Sequence, residues 1–240
     1  MKAQAIEYSN GRRRFIGHLA RDTAFAGPRP GVLVFPEAFG LNDHARDRAE
    51  RLAALGYVAL AADLHGDGRV FDDLQSLTPS IKSLYADRAE WRSRALAALG
   101  ALTGQDGVDR QRLAAIGFCF GGTTALELAR SGAALGAVTT FHAGLLPELP
   151  EDAGRIGARV LICHGDDDPM VSTESMNTIL AELRRDHVDW QLIRHGNTAH
   201  SFTDSQADAR GNPGFRYSPR ADARSWAAMK NLLDETFVSP

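Results

Sequence analysis

The chain has 240 residues and a formal net charge of −3, from 27 basic and 30 acidic side chains. Hydrophobic residues make up 44% and charged residues 24%, the balance of a globular domain large enough to bury a core unaided. No basic cluster overrides the mild acidity, so neither nucleic acid nor an anionic membrane is expected as a partner.

Two cysteines, Cys119 and Cys163, are too few for a disulfide scaffold and fit a reducing compartment. The stretch from Met1 to Glu7 has no apolar run behind Lys2, and no uncharged apolar run approaches the ~20 residues of a membrane helix. The expectation is a cytoplasmic protein.

Two extended runs flank Asn10-Gly11, a dipeptide suited to a tight type I′ hairpin turn. Gly31 to Pro36 is a short apolar run of buried-strand type, Asp43 to Leu55 reads as a helix stopped by Gly56, and Tyr57 to Ala62 is strand-like. Gly66 to Lys82 is Asp- and Ser-rich and reads as a loop or short helices. Leu84, Trp91, Ala95, Ala98 and Leu102 then recur at helical spacing. Arg112 to Gly117 is a strand and Thr123 to Arg130 a helix. Leu135 to Thr140 and Arg159 to Cys163 are further strands. Ser172 to Arg185 reads as a helix, Val188 to Arg194 as a strand, and a last helix starts at Ser218-Pro219. There is no repeat or long linker, so one domain over 1–240 is expected. Strands alternating with helices predict an α/β fold with a mainly parallel central sheet and helices on both faces. Ligands in such sheets bind beyond the carboxyl ends of the strands.

The strongest chemical signal is Gly117-Phe118-Cys119-Phe120-Gly121-Gly122, between a predicted strand and a predicted helix. A sharp strand-to-helix turn that presents a nucleophile needs small residues two before and two after it, because backbone segments come close. Here the nucleophile would be Cys119, with the Phe120 N–H as one oxyanion donor. The alternative is a glycine-rich turn holding an inert, buried cysteine.

The second signal is His164-Gly165-Asp166-Asp167-Asp168-Pro169-Met170-Val171, after a strand. Asp168 is the expected acid because Pro169 fixes the turn beyond it. Asp166 and Asp167 are expected to cap or face solvent, and a weak cation site made by all three is the alternative. The third signal is Gly196-Asn197-Thr198-Ala199-His200-Ser201-Phe202, after the last strand. Chain order is then Cys119, Asp168, His200, the nucleophile–acid–base order of α/β-hydrolases. Among the other histidines, His195 is expected to face away from the site, and His65 and His142 to line its mouth. His44 reads as a surface or pocket residue, and His18 and His187 have no motif context. Cys163 reads as a core residue.

Pro36-Glu37-Ala38-Phe39-Gly40 follows the first apolar strand, where the second oxyanion N–H of such enzymes lies, here that of Ala38. Glu37 either faces solvent or holds the thiol proton when no substrate is bound.

Together these motifs resemble the dienelactone hydrolase family of α/β-hydrolases over most of the chain, including His200-Ser201-Phe202-Thr203 and the closing stretch from Tyr217 to Phe237. The resemblance implies Cys119 as nucleophile, Asp168 and His200 as triad partners, Glu37 as the thiol's resting partner, and oxyanion donors at Ala38 and Phe120. One departure stands out. Family members that cleave dienelactone hold the substrate carboxylate with arginines, one shortly after the His-Ser-Phe segment. Here Asp204 stands there, with Arg69, Arg88 and Arg92 as other sources of positive charge.

The expected activity is cleavage of a small ester or lactone through a Cys-His-Asp triad and a thioester acyl-enzyme, with no cofactor and no metal. The expected state is a monomer or small homo-oligomer. A thioesterase or peptidase on the same triad, or a non-catalytic ligand-binding protein of the same fold, is the alternative.

Overall fold

The computed structural model describes residues 1–237, which divide into two compact units, 1–116 and 117–237. In the first unit, β1 (Lys2–Ser9) and β2 (Arg14–Arg21) form an antiparallel hairpin with Ser9 opposite Arg14. The connection therefore has four residues, not the two of a type I′ turn. The Asn10 side chain explains this: its Oδ1 accepts from the N–H groups of Arg12 (3.1 Å) and Arg13 (2.9 Å), closing an Asx turn over the longer loop.

β3 (Arg29–Phe35) and β4 (Val58–Ala61) are parallel, and β2 lies antiparallel on the far side of β4. Residues 32–35 and 58–62 are fully buried, as expected for strands covered on both sides. Between them α1 (Asp43–Ala54) is capped by Asn42, whose side chain accepts from Ala45 N–H. It ends where Gly56 takes φ 97 and Tyr57 N–H returns to Leu52 O at 3.2 Å.

The stretch that reads as loop or short helices is a loop followed by α2 (Leu74–Ala86), with Pro79 inside it. Leu84 belongs to α2, whereas Trp91 to Leu102 belong to α3 (Arg88–Thr103). Asp87 separates them, ending one helix and accepting from Glu90 N–H at 2.9 Å to start the next.

β5 (Val108–Phe118) begins in the first unit and its last two residues open the second. There follow α4 (Phe120–Arg130), β6 (Ala137–Phe141), β7 (Arg159–Gly165), α5 (Thr173–Arg185), β8 (Trp190–His195) and α6 (Pro219–Phe237). β6 pairs in parallel with β7, Phe141 opposite Cys163, and β7 in parallel with β8, Cys163 opposite Ile193. This register brings the carboxyl ends of three consecutive strands to one edge of the second unit. α6 packs on β6 and β7 through Trp226, Met229 and Leu233. No described helix is long and apolar enough to cross a membrane.

Candidate active site

Cys119 stands between the end of β5 and the first residue of α4, at φ 52 and ψ −118. A non-glycine residue with positive φ costs of order 1–3 kcal/mol and persists only where its surroundings hold it. Here they do. Cys119 N–H donates to Phe141 O at 3.0 Å, and its carbonyl accepts from Gly122 N–H (3.0 Å) and Thr123 N–H (3.2 Å). A Cβ on Gly117 would lie 2.0 Å from Gly121 O, and one on Gly122 would lie 2.6 Å from the Ala143 Cβ. Gly117 is therefore required by backbone contact and Gly122 by the Ala143 methyl group, which is the physical content of the elbow motif. Cys119 is half-buried, which sets aside the reading of a fully buried, inert thiol. Phe120 opens the helix, where N–H groups have no partner within the helix itself.

The acid and the base come from the turns after β7 and β8. Asp166 and Asp167 are exposed, and Asp166 pairs with Arg194 at 2.6 Å, so the three aspartates do not converge on a cation. Asp168 is buried. Its Oδ1 accepts from Met170 N–H at 2.8 Å, and its Oδ2 faces His200 Nδ1 at 2.8 Å. The two turns are pinned together: Asp166 N–H donates to His195 O (2.9 Å) and Asp167 N–H to Thr198 O (3.0 Å). Gly165 permits this approach, because a Cβ there would meet Thr198 O at 2.3 Å.

His200 is fixed along its backbone as well. Its N–H donates to Gly214 O (2.9 Å), and Arg216 N–H donates back to its carbonyl (3.0 Å). The rings of Phe215 and His142 stand edge-on to the imidazole, with centroids 5.0 and 5.1 Å away.

A carboxylate on Nδ1 puts the proton there and turns Nε2 towards the acid–base chemistry. Nε2 is buried and has no partner in strict hydrogen-bond geometry, yet Cys119 acts on the ring both as a charge and as a hydrogen-bonding group. Burial alone would weaken proton binding by His200. The Cys119 charge and the Asp168 hydrogen bond outweigh it, and the pKa is pushed up to about 10. All three residues of the predicted triad belong to the second unit.

Glu37 and Ala38 belong to the first unit, on the loop after β3. Glu37 is 2% exposed, which removes the solvent-facing alternative. Gly40 N–H donates to Glu37 O (3.1 Å), Phe71 N–H to Phe39 O (2.9 Å), and His65 Nε2 to Ala38 O (2.7 Å).

The other histidines are accounted for separately. His195 is held by the Ser225 hydroxyl at 2.8 Å and His18 by Glu50 at 2.9 Å, while His44 Nε2 accepts from Arg48 at 3.2 Å. Cys163 is buried, and burial pushes its thiol up to about 12 against the hydrogen bond of Ser225. Asp204 is buried and paired with Arg210 at 2.5 Å, so its charge is already compensated.

Sequence reasoning did not single out His164 or Thr203. His164 Nδ1 lies 4.0 Å from Asp168 Oδ2, and burial lowers its pKa. Thr203 Oγ1 bonds His142 Nε2 at 2.7 Å. Their positions, one at a strand end and one three residues after His200, were the available signal.

The profile of the dienelactone hydrolase family matches residues 15–237. A solved structure named m3DLH is 63% identical, covers 98% of each chain and superposes with a TM-score of 0.97. A dienelactone hydrolase-like promiscuous phosphotriesterase, P91, from metagenomic libraries is 58% identical, covers 98% of each chain and has a TM-score of 0.96. A Yersinia pestis protein to which the name carboxymethylenebutenolidase is provisionally attached is 29% identical over 242 residues, 92% of this chain and 84% of its own. With its mainly parallel sheet and alternating helices, the chain belongs to the dienelactone hydrolase family of α/β-hydrolases and is a carboxylic ester hydrolase.

Proposed function

We propose that Cys119, His200 and Asp168 are the nucleophile, base and orienting acid of an enzyme that cleaves small esters or lactones through a thioester. The observation that carries this reading is the buried 2.8 Å contact of Asp168 with His200 Nδ1, which turns Nε2 towards a cysteine on a strained strand-to-helix turn. The Cys119 proton passes to His200 Nε2, and sulfur attacks the carbonyl carbon. An ionised Cys119 raises the proton affinity of His200 and so holds the transferred proton there. The tetrahedral oxyanion collapses, the C–O bond breaks, and His200 returns its proton to the leaving alkoxide. In a lactone that hydroxyl stays on the acyl chain. Water deprotonated by His200 then cleaves the thioester and restores the thiol.

From the family pattern we assign the N–H groups of Ala38 and Phe120 to the oxyanion, and Glu37 to the resting thiol. A cytoplasmic, cofactor-free enzyme acting on a small neutral substrate completes the proposal. Asp204, buried and paired with Arg210, stands where family members that cleave dienelactone carry an arginine, which favours neutral substrates over those that carry a carboxylate.

Intact-mass spectrometry tests the intermediate. Rapid quenching with p-nitrophenyl acetate should show one acetyl group per chain, lost on treatment with hydroxylamine and absent from Cys119→Ala. An acetyl group retained in Cys119→Ala would contradict the scheme.

The 58% identity to P91 supports a second, side reading: the same thiol attacks activated phosphotriesters. Hydrolysis of paraoxon by the wild-type protein, lost in Cys119→Ala, would support it, and no hydrolysis would remove it.

A further inference from the structure

Three arginines far apart in the chain meet within the first unit. Arg13 from the β1–β2 loop, Arg69 from the loop after β4 and Arg94 of α3 line one cavity of about 420 Å³, together with Ser76, Ser80 and Ser83 of α2. Every lining residue lies between positions 13 and 94, and none is acidic. The serines stand four and three positions apart, so one face of α2 offers hydroxyl groups to the cavity, while Leu77 and Leu84 of the same helix are buried.

The guanidinium groups are held in place. Arg94 is 7% exposed; its Nη1 donates to Leu64 O and its Nε to Glu90, both at 2.8 Å. Arg13 Nη1 donates to His65 O at 3.2 Å, and its stem lies over Gly66, where a Cβ would be 2.4 Å from Arg13 Cδ. Two of the three arginines are thus anchored on consecutive carbonyls of one turn. Arg69 rests over the Phe71 ring, 4.3 Å from its centroid. Ser80 Oγ, 2.9 Å from His65 Nδ1, ties α2 to the same turn.

Little negative charge offsets these cations. Glu90 is shared among Arg94, Arg12 at 3.9 Å and the Asn10 amide. Asp63 is buried, and its oxygens are taken by the backbone N–H groups of Ile16, His65, Gly66 and Gly68 at 2.8–3.1 Å. Among the described residues, neither Arg13 nor Arg69 is paired with a carboxylate. Burial lowers the His65 pKa and outweighs the Ala38 bond and Asp63, and Arg94 and Arg69 lower it further, so both cations act on the cavity wall.

An arginine fork matches a phosphate or a carboxylate through paired N–H donors. Three forks that share one carboxylate leave a surplus of positive charge, which suits a dianion better than a monoanion, and a phosphate monoester carries about −1.5 to −2 at neutral pH. The serine hydroxyls both donate and accept, and so match the hydroxyl groups of a polar ligand. We propose that this cavity binds a small phosphate monoester, its phosphoryl group held by Arg13, Arg69 and Arg94 and its hydroxyl groups against α2. The proposal stands whether or not Cys119 is the nucleophile.

Isothermal titration calorimetry at low ionic strength tests it, with glucose 6-phosphate, inorganic phosphate, glucose and succinate as probes. The proteins are wild type, Arg13→Gln, Arg69→Gln and, as control, Arg220→Gln, whose exposed side chain lies in the second unit. Thermal midpoints establish that each is folded. The Arg69 side chain is exposed, so Arg69→Gln decides the matter if Arg13→Gln does not fold. Glucose 6-phosphate should bind with Kd below about 1 mM, inorganic phosphate more weakly, and glucose not at all. Arg13→Gln and Arg69→Gln should each raise Kd about tenfold or more, the loss expected for a charge-assisted hydrogen bond. Arg220→Gln should change it by less than about twofold. No binding of glucose 6-phosphate tighter than about 10 mM, an Arg69→Gln protein with wild-type Kd, or an equal loss in Arg220→Gln overturns the proposal. Succinate or glucose binding as tightly as glucose 6-phosphate overturns the assignment to a phosphate.

Discussion

His200 Nδ1 and Asp168 Oδ2 lie 2.8 Å apart, and the two residues are 1% and 5% exposed. In such a pair the carboxylate dictates which imidazole nitrogen carries the proton. Asp168→Asn presents an amide N–H or a weaker acceptor and releases that choice. The fold should survive, and kcat on p-nitrophenyl acetate should fall by about 10⁴-fold, with little change in KM. Steady-state kinetics on the purified variant measures this, and a loss of less than about tenfold would show that Asp168 does not orient the base.

The strain at Cys119 depends on Gly117. Because a Cβ there would be 2.0 Å from a backbone oxygen, Gly117→Ala has no side chain to displace and must move the turn itself. We expect a loss of about 3 kcal/mol or more in stability, together with loss of activity. Gly132→Ala provides contrast, since nothing lies within 4 Å of its added Cβ and only its φ of 82 is penalised. Urea unfolding of both variants checks the order of the two effects.

The raised pKa of His200 links stability to pH. Where Cys119 is ionised, the folded state holds this proton more tightly than the unfolded chain, whose ordinary value is 6.5. The contribution is fully present below about 6.5 and is lost as pH rises through about 10. In that window the slope attributable to His200 is negative, at most about 1.4 kcal/mol per pH unit. His200→Gln should flatten it. Unfolding free energies at several pH values, wild type against variant, read the difference directly, and parallel curves would contradict it.

Glu37 gives a test that does not need a substrate. A carboxylate assigned as the resting partner of the thiol holds its proton and repels a thiolate. Glu37→Gln should make Cys119 react faster with iodoacetamide at neutral pH, followed by mass spectrometry with Cys163, buried at 0% exposure, as internal control. An unchanged alkylation rate would remove that role from Glu37.

Much of this was legible in the sequence where backbone contact dictates residue type. Gly117 marked the elbow because a Cβ there would meet the Gly121 carbonyl, and Pro169 singled out Asp168 among three aspartates. Continuous apolar runs marked β3 and β4 because residues 32–35 and 58–61 are fully buried. The four-residue hairpin connection is not legible, because the dipeptide Asn10-Gly11 does not reveal that the Asn10 side chain caps two further N–H groups. α2 was not resolved because Pro79 interrupts its pattern and only Leu77 and Leu84 are buried, so Leu84 merged with the period of α3 across Asp87. The links of His65 to Ala38 and of His142 to Thr203 join residues far apart in the chain, and no local pattern encodes them.

The most direct test of the central assignment is hydrolysis of p-nitrophenyl acetate and a panel of small lactones by wild type and Cys119→Ala, side by side. The account predicts activity in the wild type that disappears in the variant on every substrate. Hydrolysis by a folded Cys119→Ala protein at the wild-type rate would contradict it.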